Sequence, residues 1–160
     1  MPIAIAENAE LLLHIVEFSD IVRFSEIEAL GQAHARNLSW AGADTVHIID
    51  ESADLSRITD AELDAMRAHY RAVYGSIDFF LLRRSGWVCR SPAAWRVAAY
   101  WLRERHSRDG QGTEVYLAAT LDELCEMFSA EEIAAVTARA GFVELWRADH
   151  GSASGQTGGA

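Results

Sequence analysis

Short apolar segments alternate with capped amphipathic helices along this chain of 160 residues, and this alternation limits the possible folds more than any other feature. Two apolar segments near the start are separated only by a turn at residues 7–10, which predicts a β-hairpin. Three later segments are separated by stretches of helix length, which predicts parallel strands joined by crossover helices. The five predicted strands cover residues 3–5, 11–18, 44–50, 77–82 and 114–119.

Helix starts are marked by local motifs. In the S/T-x-x-E capping box, the hydroxyl accepts a hydrogen bond from a free backbone N–H, and the glutamate reaches back to the cap. A fifth start is Ser91 followed by Pro92, because proline is favoured at the first helical position. The four capping boxes are Ser25–Glu28, Thr59–Glu62, Thr120–Glu123 and Ser129–Glu132. The predicted order is therefore ββα-βα-βα-βα-α, which is typical of an α/β protein.

The length predicts one domain, which we assign to residues 1–150. Residues 129–146 are expected to form a helical and apolar extension, whose segment 142–146 docks on the body or forms an edge strand. Residues 151–160 are rich in Gly and Ser and are predicted to form a disordered tail. No apolar run reaches the length of a membrane span, and we see no secretion leader. Because Cys89 and Cys125 have neither disulfide nor metal spacing, a cytoplasmic location is expected.

The charge distribution makes nucleic acid an unfavourable partner and shows one local basic segment. The chain carries 24 acidic and 14 basic residues, all of the latter Arg, for a net charge of −10, and phosphates would be repelled. Residues 83–108 nevertheless contain seven arginines and one acid, Glu104, together with several aromatic residues. This segment is the strongest candidate for a binding site.

We expect a loop over residues 84–91 to leave the carboxyl end of a buried strand, which is where open α/β sheets bind ligands. Arginines beside a helix N-terminus can hold an anion, and aromatic side chains can supply an apolar wall. The alternative is that the arginines are solvated and pair with the chain's own acids, while the tryptophans belong to the core. The candidate ligand-binding residues are Arg84, Trp87, Arg90, Ser91 and Arg96.

The hairpin, the S-E-I-E helix start and the strand D-T-V-H-I-I-D followed by A-D-L-S-R-I-T-D-A-E-L resemble the STAS-like group, which includes the sporulation anti-sigma-factor antagonists. The later segments F-F-L-L-R-R, A-W-R-V-A-A-Y-W-L and E-V-Y-L-A-A-T-L-D-E-L continue the resemblance, which covers residues 3–128. It implies a mixed sheet of about five strands with helices mainly on one face, and an extra C-terminal helix beyond the family core.

The same resemblance implies a regulatory serine at the start of the helix after the third strand, within a D-S-S-G-like turn. This chain reads I-T-D-A there, which places Thr59 near the acceptor position, but the flanking Asp-Ser and the Gly are absent. Phosphorylation of Thr59 is one interpretation, since a helix N-terminus stabilises added negative charge. The other is a plain N-cap, which the T-x-x-E spacing explains.

An enzymatic alternative rests on Cys89. The sequence V-C-R-S-P-A-A-W-R is similar to the active-site loop of rhodanese-type sulfurtransferases, where a thiolate precedes a helix. Arg90 and the helix start would lower the thiol pKa, although the spacing to Arg96 is one residue too long and Pro92 removes an N–H donor. Packing is the competing interpretation for Cys89, and it is our prediction for Cys125.

The sequence thus predicts a non-catalytic binding protein, with a thiol-dependent sulfurtransferase as the alternative. The expected partner is another protein, a second copy of the chain, or a small anionic ligand near residues 83–96. No metal or cofactor is expected, because the six histidines show no ligand spacing and no nucleotide-binding motif is present. Neither nucleic acid nor a membrane is an expected partner.

Overall fold

A computed structural model describes residues 2–75, 83–103 and 113–148 of the chain. Within these ranges it has one mixed sheet and four α-helices, which confirms the predicted α/β class. The strands are β1 (Ile3–Asn8), β2 (Leu13–Phe18), β3 (Asp44–Ile49), β4 (Arg83–Cys89), β5 (Thr113–Ala118) and β6 (Val143–Arg147). The α-helices are α1 (Phe24–Arg36), α2 (Asp60–Gly75), α3 (Pro92–Trp101) and α4 (Ala130–Ala138), and two short 3-10 helices cover Leu38–Gly42 and Leu121–Leu124.

The sheet has the strand order β5-β4-β3-β2-β1-β6. Strands β2, β3, β4 and β5 are parallel, and β1 pairs antiparallel with both β2 and β6. The predicted hairpin and the parallel arrangement are therefore confirmed. Strand β6 shows that the apolar segment after α4 forms an edge strand, so the described sheet has six strands rather than about five.

The strand β4 differs from the prediction. The predicted fourth strand, residues 77–82, lies outside the described residues, and most of the predicted 84–91 loop is strand β4. Ser85 and Gly86 are ordinary turn residues, but here the glycine permits close packing. A Cβ at Gly86 would lie 2.8 Å from both Leu124 Cδ1 and Phe128 Cε2, so only glycine lets these side chains approach the strand without a shift.

Alternating side chains give the sheet two apolar faces. The front face carries Val16, Phe18, Ile49 and Trp87, which pack in one core with residues of α1, α2 and α3. On the back face, a second core of strand residues is covered by the 3-10 helix Leu121–Leu124 and by α4. The helices thus lie mainly on one face, and the extra C-terminal helix covers the other.

Local capping explains most helix starts. Thr59 N donates to Glu62 Oε2 over 2.8 Å and Glu62 N donates to Thr59 Oγ1 over 3.2 Å, as the motif predicts. The box at Ser25 is wrong, because α1 already begins at Phe24 and the carboxylate of Glu26 accepts from the backbone N–H of Arg23. Thr120 caps only the short 3-10 helix.

Cys125 is exposed, so its predicted packing role is wrong: it follows a single 3-10 turn, not a long amphipathic helix. None of the helices in the described ranges has both the length and the apolar character needed to span a membrane. The predicted tail, residues 151–160, lies outside the described residues.

Candidate functional site

A cavity of about 220 Å³ lies between the front face of the sheet and the helices α1, α2 and α3. Three neighbouring strands supply its floor, through Phe18 of β2, His47 of β3 and Trp87 of β4. The alternation of side chains along a strand explains this arrangement, because these three residues point to the same face. The helices supply mostly apolar and aromatic walls, including Leu30, Met66, Tyr70, Tyr74, Val97 and Trp101.

The floor is a row of nearly parallel rings. The His47 and Trp87 rings are 3.9 Å apart between centroids and inclined by 7°, and Phe18 lies 6.2 Å from Trp87. Trp87 Nε1 donates to Ser85 Oγ over 3.0 Å, which fixes the indole on its own strand. The stacked rings therefore form a preorganised surface, since each is held by a neighbouring strand of the sheet.

The helical wall is also aromatic. The Tyr70 ring meets the Trp101 ring edge to face at 6.0 Å, and its hydroxyl lies 3.3 Å from Nδ1 of His34. Burial raises the pKa of Tyr70, so the phenol stays protonated at physiological pH. Tyr70 and His47 are half-buried, and both line the cavity.

The histidines come together in a way that their chain spacing did not indicate. His14 and His34 both meet the Trp40 ring edge to face, at 6.2 and 5.7 Å. Burial lowers the pKa of His34 to about 4 and that of His47 to about 3, and the nearby Arg83 charge adds to both shifts. Both imidazoles are consequently neutral at physiological pH. In the described part of the chain, no group of three or more His, Cys, Asp or Glu side chains is arranged to hold a metal ion.

Arginines are the charged residues of the cavity. Arg83 donates to the carbonyl of Ala41 over 3.0 Å, and its guanidinium lies 4.7 Å from the centre of the Tyr74 ring. Arg67 donates to the carbonyl of Trp101 over 2.6 Å and lies over that indole ring at 5.1 Å. Arg103 also lines the cavity but forms an ion pair with Asp64. Among the described lining residues none is acidic, although the chain has a net charge of −10.

The five predicted ligand-binding residues lie in different places. Trp87 lines the cavity. Arg84 borders it, but its guanidinium binds Asp44 and Glu132 on the back of the sheet. Ser91 is buried and donates its hydroxyl hydrogen to the carbonyl of Ala53.

The other two predicted residues lie at the surface. Arg90 is exposed after β4, where its backbone N–H donates to the carbonyl of Ile49. Arg96 forms an exposed ion pair with Asp60 and also donates to the carbonyl of Ile58. These pairings agree with the alternative in which arginines neutralise the chain's own acids. The cavity lies beneath the helices. The sequence pattern missed its Arg67, His47 and Tyr70, and it included Arg83 only as a member of the basic segment 83–108.

The two residues with proposed chemistry are engaged in local structure. Thr59 is exposed, but its hydroxyl participates in the capping box with Glu62. Cys89 is buried, its thiol donates to the carbonyl of Ser91 over 3.4 Å, and burial raises its pKa. A nucleophilic thiolate needs a lowered pKa and partial exposure, whereas Cys89 is buried and its pKa is raised.

No family model, curated protein or solved structure matches this chain. The resemblance to the STAS-like group therefore stays a prediction.

Proposed function

We propose that this chain is a non-catalytic binding protein that holds a small amphipathic anion in the front-face cavity. The apolar part of such a molecule would occupy the space between the strand rings and the helices. Its negative group would lie toward Arg83 and Arg67. The proposed ligand is an anion, as expected from the sequence. The proposed site is the cavity between the sheet and the helices, and not the surface near Arg90 and Arg96.

The observation that carries the proposal is the set of charged residues that line this cavity. In this acidic chain, every charged residue among the described lining residues is an arginine, and an arginine can meet an anion. The charge of Arg83 acts on groups of the cavity: it adds to the lowering of the pKa values of His34 and His47 and opposes the rise in the pKa of Tyr70, although burial is the main cause of the shift at each. Guanidinium groups bind carboxylates with directed hydrogen bonds.

A cytoplasmic location belongs to the same proposal. Both cysteines are free thiols in the structure, which suits a reducing compartment. The thiol-enzyme alternative has less support, because Cys89 is buried with a raised pKa.

The test compares probes that differ only in charge. Octanoate and 2-naphthoate should raise the melting temperature and bind in calorimetry, whereas their neutral primary amides should bind about tenfold more weakly or worse, as expected for a lost charged hydrogen bond. Replacing Arg83 by Met should remove this preference for the anion. The matched control is Arg96→Met, which removes an exposed arginine outside the cavity and should leave binding unchanged.

Two results would reject the proposal. One is the absence of binding for both anions at millimolar concentration in a folded protein. The other is binding of the anions by Arg83→Met with the affinity of the unmodified chain.

A further inference from the structure

The cavity has an uncharged polar wall as well as arginines, and an inference about that wall rests on the proposed function. His34 of α1 and Tyr70 of α2 both line the cavity, and the Tyr70 hydroxyl lies 3.3 Å from Nδ1 of His34. We infer that these two residues recognise a hydroxyl group on the ligand, so that the site selects a hydroxylated amphipathic anion. The ligand hydroxyl would donate its hydrogen to Nε2 of His34.

The contacts of His34 show which of its ring nitrogens carries the proton. Nδ1 lies 3.0 Å from the carbonyl oxygen of Leu30, one turn earlier in α1. A carbonyl oxygen only accepts hydrogen bonds, so Nδ1 carries the hydrogen of this bond. Burial lowers the pKa of His34 to about 4, and the neutral ring at physiological pH has a single N–H. Nε2 therefore presents a lone pair, which accepts a hydrogen bond but cannot donate one.

A ligand can reach Nε2 of His34. Because Nδ1 bonds the backbone of its own helix, the Nε2 edge of the ring points away from that bond. Within the described part of the chain, no residue donates to Nε2, and this nitrogen is not one of the enclosed side-chain atoms that lack a partner. His34 is half-buried and lines the cavity, so Nε2 is an accessible acceptor whose partner must come from outside the described residues.

Tyr70 supplies a donor beside this acceptor. Since Nδ1 of His34 already carries a hydrogen, it cannot accept from the phenol, and the Tyr70 oxygen is a second acceptor for that hydrogen. Burial raises the pKa of Tyr70, so the phenol keeps its own hydrogen, which has no acceptor among the described residues. A hydroxyl group suits both side chains, because it donates one hydrogen and also accepts.

The electrostatics of this wall favour an alcohol over an amine as the donor. Burial is the main cause of the lowered pKa of His34, and the charge of Arg83 adds to it. The same two effects would penalise an ammonium group beside the ring, because it would lose its hydration and be repelled by the arginine. An uncharged hydroxyl avoids the repulsion and loses much less hydration.

The experiment compares each hydroxy acid with its own methyl ether, which keeps the oxygen but has no hydrogen to donate. At least one of 6-, 7- and 8-hydroxyoctanoate should bind about tenfold more tightly than its ether in calorimetry, as expected for one added hydrogen bond in a partly buried site. A flexible chain is used because it does not fix the distance between the carboxylate and the hydroxyl.

A pair of histidine variants locates the hydroxyl. His34→Phe should bind the hydroxy acid and its ether with similar affinity. The matched control is His69→Phe, which should keep the preference, because His69 also contacts a backbone carbonyl, that of Gly31 at 3.1 Å, but does not line the cavity. If His34→Phe does not fold, nitrogen-15 resonances of the unmodified protein replace it: Nε2 of His34 should carry no hydrogen, and its resonance should move with the hydroxy acid and not with the ether.

The two proposals fail in different ways. Hydroxyl recognition is wrong if the hydroxy acids bind no more tightly than their ethers, if His34→Phe keeps the preference, or if Nε2 carries a hydrogen. The binding function stands in those cases, provided that the acids bind better than their amides. If no anion binds, or anions bind no better than their amides, the proposed function is wrong and hydroxyl recognition falls with it.

Discussion

At the scale of single residues, Arg84 links three parts of the back layer. Its guanidinium donates to Asp44 at the start of β3, to Glu132 of α4 and to the carbonyl of Met127, and it lies 4.5 Å from the centre of the Phe128 ring. The two carboxylates raise the pKa of Arg84, and Arg84 holds the pKa of Glu132 below its usual value. This arginine therefore holds β3, α4 and the chain before α4 together.

Replacing Arg84 by Met should lower the free energy of unfolding by about 1–3 kcal/mol, because two partly buried carboxylates lose their common partner. Chemical denaturation measures the change. The control is Arg147→Met, which removes an exposed pair with Glu144 and should have no measurable effect. Equal stability of the two variants would show that Arg84 contributes nothing beyond an ordinary surface pair.

At the scale of elements, the packing of the second 3-10 helix against β4 depends on Gly86, which has no side chain to occupy the contact. Gly86→Ala should destabilise the protein by about 1–3 kcal/mol, because the added methyl overlaps Leu124 and Phe128. Gly42→Ala is the matched control, since nothing lies within 4 Å of its Cβ position. A Gly86→Ala variant as stable as Gly42→Ala in denaturant would mean that the layer adjusts without cost.

The same elements show which features could be predicted from sequence. Strand β3 and the caps at Thr59 and Ser129 were predictable, because the motifs that specify them are local. Strand β4 was not, because Ser85 and Gly86 favour a turn until a neighbouring layer packs against them. The start of α1 was misplaced because buried Glu26, not Glu28, supplies the capping carboxylate.

At the scale of the whole molecule, the cavity combines residues from four strands and three α-helices. The alternation along each strand indicates that His47 and Trp87 share a face, but only the packed structure shows what lies above them. Carboxyl strand ends are a common ligand position, and that general rule pointed to Arg90 and Arg96 instead. An interior site made from residues far apart in the chain leaves no local motif, so it could not be predicted.

Burial of neutral histidines at this site makes the stability of the whole protein depend on pH. The pKa values of His34 and His47 are about 4 and about 3 in the folded chain, against about 6.5 when unfolded. Between these values the unfolded state binds more protons, so folding is favoured above pH 6.5 and loses stability as the pH falls toward 4. Each histidine should remove up to about 2 kcal/mol of unfolding free energy between pH 7 and pH 5.

Denaturation in urea at pH 7, 6 and 5 tests this expectation in a range above the titration of most carboxylates. His47→Phe should lose part of the pH dependence, because a phenyl ring fills a similar space and binds no proton. If that variant does not fold, the imidazole resonances of the unmodified protein serve instead and should show no protonation of His47 at pH 5. Two results would contradict the burial of a neutral His47. One is a urea midpoint that does not change from pH 7 to pH 5, and the other is an imidazole that titrates near pH 6.5. The second result would mean that water reaches the His47 ring in the cavity.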